Sequence, residues 1–496
     1  MNVLKFPSSS AALLLILGTA GPAAAQLADD RHWFYDYGAP GSEPFVFEAA
    51  GHHLYMGGLF LRVDNDPQKK NLTRFNLLTE AWERVPGIDE DFNGGVWAIE
   101  NGGDGYLYIG GNFSKVGAVN ASGVARLHLA TQTWSALTDA APTLVTPNQQ
   151  SGPTNGRVLA LAKTGNFLYV GGEFTGPAQS PQNEKYIRRF NLSTSTWERV
   201  GNGLGGNVRA LALAPGGGVA AGGEFPGALA QWNGSAWSVL GGGVAGGVGG
   251  APIVRALAAA PNGTLYIGGD FDQVNAAGAP AAVRDIAALT GTTWNALAGG
   301  FDAKFIQSNG TQFDSDGVFD LVLGPNGVLY AAGDFDASAG RAVTGLRHVA
   351  RWDGTGAWKP LGSGLGVTGS QIVNCLAIGS QGDLYAAGVF NTGFGTLGAA
   401  AKNFARWHTG RDFTGYIPGA ADNTTLRLAA GAGGGAFTLS FDTRAGTTYQ
   451  LKASPNFLVW SNVNGGQLVG TGGRMQFNLS GFTAGSHYFR LEAVDW

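Results

Sequence analysis

Three observations predict an all-β fold, a seven-bladed β-propeller followed by a small β-sandwich. A glycine doublet inside an apolar run recurs along the chain, as YMGGLF at 55–60, YIGGNF at 108–113, YVGGEF at 169–174 and YIGGDF at 266–271. The second glycine of each occurrence (Gly58, Gly111, Gly172, Gly223, Gly269, Gly333, Gly388) falls 46 to 64 residues after the one before it. Glycine supplies 82 of 496 residues while aromatics make up 11%, a mixture that suits short strands joined by tight turns. With a net charge of only −4, that aromatic content also argues against disorder.

The N-terminus comes first in order. Lys5, the apolar residues 11–17 and Ala23-Ala24-Ala25 have the layout of a signal peptide over 1–25, cleaved near Ala25–Gln26. The apolar run is too short to span a bilayer, and no later segment is long and apolar enough to do so. The expected location is extracellular or at the cell surface. Cys375 is the only cysteine, so no intramolecular disulfide can form and stability must come from packing. No Lys/Arg-rich segment is present, which argues against nucleic acid as a partner.

The repeats occupy 26–419. Unit four has the least insertion: VRALAL at 208–213, a turn, VAAGGEF at 219–225, LAQW at 229–232, the Asn233-Gly234 turn, then AWSVL at 236–240. Asn-Gly between apolar runs is a strong hairpin signal. Four short strands in a unit of about fifty residues is the grammar of a propeller blade. A fourth-strand tryptophan recurs as Trp82, Trp134, Trp197, Trp237, Trp294 and Trp358. The seventh unit lacks one, whereas residues 32–37 resemble a fourth strand without a blade. They are expected to complete the last blade beside residues 404–407 and so remove an exposed edge.

The pattern LYxGGxF … ARW(D/N)G … W resembles the kelch repeat, the central domain of galactose-oxidase-like proteins and a group of secreted bacterial propeller repeats, over roughly 32–416. The resemblance implies fold rather than activity, because propellers host many functions. Copper-radical chemistry of the oxidase kind is disfavoured, since Cys375 in VNCLAI reads as a small core residue. Residues 420–496 alternate with period two between glycine turns and resemble the C-terminal immunoglobulin- or fibronectin-like modules of exported bacterial proteins. By that resemblance Tyr449, Trp460 and Tyr488 are core aromatics.

In an up-and-down blade, alternate connections lie on opposite faces. The first-to-second and third-to-fourth turns are short, so the long loops share one face, where binding usually lives. Candidate ligand-binding residues there are Asp89, Asp91, Phe92, Phe301, Phe313, Asp314 and Asp316. Carboxylates two apart with a glycine behind can wrap an oxygen-loving cation, so Asp314 and Asp316 are also candidate ligands for Ca²⁺; the full twelve-residue loop is missing. Asp64-Asn65-Asp66 is a further acidic loop. No other cofactor is expected.

The residues after the doublet (Leu59, Asn112, Glu173, Glu224, Asp270, Asp334, Val389) and the third-strand arginines (Arg74, Arg126, Arg189, Arg351, Arg406) repeat with the units. Repetition favours structural roles, the first set accepting backbone N–H groups and the second meeting carboxylates or carbonyls. The doublet itself is expected to leave room for an aromatic ring, the recurring tryptophan being one candidate.

The functional expectation is a monomeric binding or scaffold protein for an extracellular glycan or cell-surface protein. The alternatives are a polysaccharide-acting hydrolase or lyase using carboxylates of the long-loop face, and a structural or adhesion module with no small ligand.

Overall fold

The computed structural model describes residues 33–34, 43–63, 66–88, 92, 94–137, 156–174, 186–247, 250–275, 277–302, 304–306, 312–314, 317–324, 327–354, 356–362, 364–365, 371–380, 382–391, 402–407, 427–430, 437–442, 448–454, 461–469, 474–479 and 488–493. The chain divides into two compact units. The larger comprises Gln26–Leu77 and Ala81–Thr409, and the strands after Gly410 belong to the smaller. The expected boundary at 419/420 lies outside the described residues.

Among the described residues the larger unit holds seven four-stranded antiparallel sheets. Sheet 1 is Glu43–Ala50, His53–Leu59, Leu72–Asn76 and Ala81–Glu83; sheet 2 is Val96–Asn101, Tyr106–Gly111, Val124–His128 and Thr133–Ala136. Sheet 3 is Arg157–Thr164, Phe167–Glu173, Ile187–Asn191 and Thr196–Arg199; sheet 4 is Val208–Leu213, Val219–Gly223, Leu229–Trp232 and Trp237–Val239. Sheet 5 is Ile253–Ala259, Thr264–Asp270, Ile286–Thr290 and Thr293–Asn295; sheet 6 is Gly317–Leu323, Leu329–Asp334, Val349–Trp352 and Lys359–Pro360. Sheet 7 is Ile372–Ile378, Leu384–Asn391 and Lys402–Trp407, with Trp33–Phe34 as its outer strand. Trp33 pairs with Trp407 and Phe34 with Arg406, so the first described strand closes the last sheet.

The first strand of each sheet contacts the first strand of the next, and that of sheet 7 returns to sheet 1. Seven buried clusters fill the seams between consecutive sheets, among the described residues. One of them joins Phe47, Met56 and Phe75 of sheet 1 to Tyr385, Ala387 and Phe404 of sheet 7. Cys375 is buried there, as a small core residue should be.

The aromatic ring beside the doublet is the phenylalanine of the motif itself, not the recurring tryptophan: a Cβ on Gly111 would lie 3.0 Å from Phe113 Cδ1, and one on Gly58 3.0 Å from Phe60 Cδ1. In every sheet the first strand carries a one-residue register shift opposite the doublet: at Pro44/Val46, Val96/Ala98, Val158/Ala160, Val208/Ala210, Val254/Ala256, Val318/Asp320 and Val373/Cys375. Such a bulge bends the strand and turns one backbone carbonyl toward its partner. A Cβ on Gly111 would lie 2.0 Å from the Gly95 carbonyl oxygen, and one on Gly172 2.0 Å from that of Arg157. The first glycine answers a different neighbour. A Cβ on Gly110 would lie 2.5 Å from Cγ1 of Val158, which belongs to the next sheet.

The tryptophan has its own task. Nε1–H of Trp134, Trp197, Trp237, Trp294 and Trp358 donates to the carbonyl of Pro86, Leu137, Val200, Gly241 and Leu297 respectively, each just past the fourth strand of the preceding sheet. The repeated indole therefore latches each of sheets 2 to 6 to its predecessor.

Among the described residues the smaller unit contains two three-stranded antiparallel sheets. Arg427–Ala430, Phe437–Asp442 and Arg474–Leu479 form one, and Ser461–Val469, Thr448–Ser454 and Tyr488–Ala493 form the other. Ser461–Val469 is a strand that period-two reading misses, because SNVNGGQLV is polar and glycine-rich. Trp460 and the side chains of Tyr449 and Tyr488 lie outside the description.

Candidate binding site at the mouth of the central channel

The first strands surround a central cavity of about 410 Å³. The bulge decides what faces its mouth. The extra residue of each first strand is Phe45, Trp97, Leu159, Arg209, Arg255, Phe319 or Asn374, and all seven line the cavity half-buried. The bulge sits at the start of strand one, beside the end of strand two. That is the end of the blade where the long connections gather, so the ring of bulge residues opens on the long-loop face.

The ring is chemically uneven. Phe45 stacks on Trp97 with centroids 5.7 Å apart and an interplanar angle of 13°. The Arg157 guanidinium lies 5.6 Å from the Trp97 ring centroid, and that of Arg255 lies 5.5 Å from the Phe319 ring. Asn374 Nδ2 donates to the Pro44 carbonyl at 2.9 Å and joins sheet 7 to sheet 1.

A charged ladder runs across sheets 3 and 4. Arg157 pairs with Glu173 at 2.7 Å, Arg209 reaches Glu173 at 3.5 Å, and Arg209 Nε also donates to Glu224. Asn207 Nδ2 donates to Glu224 at 2.8 Å. Burial pushes the Glu224 carboxyl up, but Arg209 and Asn207 outweigh it and hold the group below the usual range. The post-doublet acids of units three and four thus meet arginines at the mouth rather than backbone N–H groups. Asn112 keeps the expected role, accepting Gly95 N–H at 2.8 Å.

Further along the first strands three carboxyls break the repeat. Glu48 and Glu100 stand where sheets 3, 4, 5 and 7 have alanine and sheet 6 has Val322; Asp320 stands where sheets 2 to 5 have alanine. Each accepts a backbone N–H from the first strand of the next sheet: Glu48 from Asn101, Glu100 from Lys163 at 3.0 Å, Asp320 from Leu376 at 2.7 Å. Burial pushes Glu48 up to about 8, with the charge of Glu100 adding to it. Burial also pushes Glu100 and Asp320 up to about 7. These groups clamp neighbouring sheets and cap edge-strand N–H groups. That structural task accounts for them without catalysis.

The residues selected from the sequence fare differently. Phe92 is 1% exposed and packs 5.4 Å from Phe113, the phenylalanine that closes a doublet motif. Phe301 is also 1% exposed, stacked on Phe335 at 4.0 Å with Trp358 at 4.5 Å. Both rings are taken up by packing and present no face to a ligand. Asp89, Asp91 and Asp316 lie outside the described residues, as do the side chains of Phe313 and Asp314, whose backbone runs in a short hairpin strand. Asp66 is held by Arg84 at 2.8 and 3.0 Å. Among the described residues no group of three or more His, Cys, Asp or Glu side chains is placed to hold a metal ion.

Four of the five third-strand arginines have structural partners: Arg74 with Glu83, Arg126 with Ser135, Arg189 with Glu198 and Arg406 with Asp383. Sequence reading passed over the bulge residues. The mark it could have used is Val-x-Ala in strand one, as in Val96-Trp97-Ala98 and Val208-Arg209-Ala210, where x is the channel-facing residue.

Residues 102–129, spanning the second and third strands of sheet 2, match a family model described as "Domain of unknown function (DUF5122) beta-propeller". The chain is a β-propeller protein. No curated protein matches its sequence. Similar solved structures include the extracellular domain of a protein described as a hybrid two-component system from B. thetaiotaomicron, at 12% identity and a TM-score of 0.43 over 84% of this chain and 45% of that one. This propeller chain therefore spans less than half the length of that protein. YCF48 bound to D1 peptide is similar at 14% identity and a TM-score of 0.41, over 76% of this chain and 97% of that one. The WD40 β-propeller domain of Doa1 follows at 11% identity and 0.40, over 75% and 96%.

Proposed function

We propose that this chain is an exported, seven-bladed, kelch-like propeller with a C-terminal β-sandwich, and that it binds an extracellular glycan or protein at the channel mouth on its long-loop face. One observation carries the reading. Seven equivalent bulge positions hold Phe, Trp, Leu, Arg, Arg, Phe and Asn, all half-exposed around one opening, while the valine before them and the alanine after them largely repeat. A scaffold needs only the repeated residues. Diversity at a position that faces the opening is what selective recognition requires.

The test is to screen the purified chain on glycan and peptide arrays beside Trp97→Ala and Arg209→Ala. Ligands that weaken about tenfold or more in both variants, with melting temperatures retained, support the reading. Ligands indifferent to both substitutions, or no ligand on either array, would sink it. Substrate turnover would instead favour a polysaccharide-acting enzyme.

A further inference from the structure

Asparagine followed by glycine is a pair that can rewrite itself. The glycine amide nitrogen, once it has lost its proton, can close a five-membered ring on the asparagine side-chain carbon, and no Cβ stands in its way. Four such pairs are described in the larger unit: Asn101-Gly102, Asn202-Gly203, Asn233-Gly234 and Asn262-Gly263. In three of them the glycine N–H already donates to a carbonyl: Gly102 to Tyr106 at 3.0 Å, Gly203 to Val200 at 3.2 Å and Gly263 to Ala260 at 3.0 Å. An N–H held by a carbonyl is slow to give up its proton. Among the described residues no acceptor takes the Gly234 N–H, and a Cβ on Gly234 would meet nothing within 4 Å. Asn233, Gly234 and Ser235 are exposed. The group under attack is prepared as well. Asn233 Oδ1 accepts three bonds, from the Ser235 N–H at 2.9 Å, the Ser235 hydroxyl at 3.0 Å and the Ala236 N–H at 3.0 Å. Asn262 Oδ1 accepts one, from the Thr264 N–H at 3.0 Å. The Asn101 Nδ2, which would have to leave, is instead tied to the Ala49 carbonyl at 3.0 Å.

We propose that Asn233-Gly234 is a self-modification site, at which the folded chain converts Asn233 to aspartate and isoaspartate. The Gly234 nitrogen adds to Asn233 Cγ, and the negative charge that develops on Oδ1 falls among its three donors, as in an oxyanion hole. The new N–Cγ bond stays and the Cγ–Nδ2 bond breaks. The proton lost by Gly234 is returned through solvent to the departing nitrogen, which leaves as ammonia. One water molecule then opens the cyclic imide at either carbonyl. The sum is one water consumed and one ammonia released, with no oxidant and no cofactor. Opening at the side-chain carbonyl leaves aspartate. Opening at the backbone carbonyl leaves isoaspartate, which adds a methylene to the turn between Leu229–Trp232 and Trp237–Val239. Trp237 is the indole that latches sheet 4 to sheet 3, so the iso product acts next to a contact between sheets. The site lies on a third-to-fourth turn and does not depend on what binds at the mouth.

The test incubates the purified full chain in mildly alkaline buffer. Peptide mapping by mass spectrometry reads the amide-to-acid conversion at each of the four pairs, in the native chain and in the chain unfolded by urea. Unfolding releases all four glycine N–H groups and leaves only the local sequence to set the rates. In the native chain Asn233 should convert at least about tenfold faster than Asn101, Asn202 or Asn262, and that lead should shrink in urea. Ser235→Ala, at an exposed position that leaves the fold intact, removes one donor from Oδ1. It should slow the native conversion about threefold, the contribution of one exposed hydrogen bond, and leave the rate in urea unchanged. Any of the other three asparagines keeping pace with Asn233 in the native chain would overturn the proposal. So would a lead that survives undiminished in urea, or a native Ser235→Ala chain that converts as fast as the parent.

Discussion

Gly111 and Gly110 stand next to each other but answer to different neighbours. The oxygen that a Cβ on Gly111 would strike belongs to the backbone of the same sheet, fixed by the ladder on either side of the bulge. The atom that a Cβ on Gly110 would meet is a valine methyl of the next sheet, and a side-chain methyl can move aside where a backbone carbonyl cannot. This difference explains the repeat itself. The second position is glycine in all seven units, whereas the first becomes Ala332 in unit six and Ala387 in unit seven. Gly111→Ala should therefore destabilise by about 3 kcal/mol, at the upper end for overpacking, and Gly110→Ala by about 1 kcal/mol. Urea unfolding of the two variants checks the order. Equal losses would mean that the carbonyl does not set the constraint.

At the level of the strand, the latch and the bulge divide what the sequence discloses from what it hides. The indole latches differ in burial. Trp358 is fully buried and its bond to the Leu297 carbonyl lies inside the core, whereas Trp197 and its bond to Leu137 are only partly buried. Replacing Trp197 with Phe should cost about 1 kcal/mol, and Trp358→Phe about 2 kcal/mol, because a buried carbonyl left without a donor bears its full desolvation penalty. Chemical denaturation would show it, and a larger loss at Trp197 would refute the burial argument. Tryptophan and glycine were legible because they recur at fixed offsets, and so was the pairing of Trp33–Phe34 with sheet 7, because that sheet lacked a fourth strand. The bulge was passed over, since Val-x-Ala in strand one reads as ordinary alternation until its register against the partner strand is known. Phe45, Trp97, Arg209 and Arg255 therefore read as ordinary strand residues. Phe92 and Phe301 misled for the opposite reason. Their acidic surroundings suggest open loops, yet each ring folds back onto the phenylalanine that ends a doublet motif, Phe113 or Phe335.

For the whole molecule, a closed ring must satisfy the channel-facing edges of its innermost strands, and this chain does so in part with acids. Glu48, Glu100 and Asp320 each reach an N–H of the next sheet, so sheets 1, 2 and 3 and sheets 6 and 7 are joined by carboxyls. These groups are largely enclosed by protein, so burial favours the protonated form. A carboxyl with a higher pKa in the folded state than in the unfolded one binds protons more tightly when folded. Its contribution is complete below its ordinary value near 4.5 and is lost as pH climbs through about 7 for Glu100 and about 8 for Glu48. Glu83, Glu198 and Glu224 act in the opposite sense. Hydrogen bonds and arginines hold them low against the opposing effect of burial, so their stabilisation is lost as pH falls below the ordinary carboxylate range. The ring should be most stable in weak acid, and its melting temperature should decline from about pH 5 to pH 9. Glu48→Gln with Glu100→Gln keeps an amide oxygen to accept each N–H and removes the titration. The double variant should lose most of that decline and melt higher than the parent at pH 9. Melting curves at the two pH values decide it: a flat profile in the parent, or an equally steep one in the variant, would show that the channel carboxyls do not govern how the closed ring responds to pH.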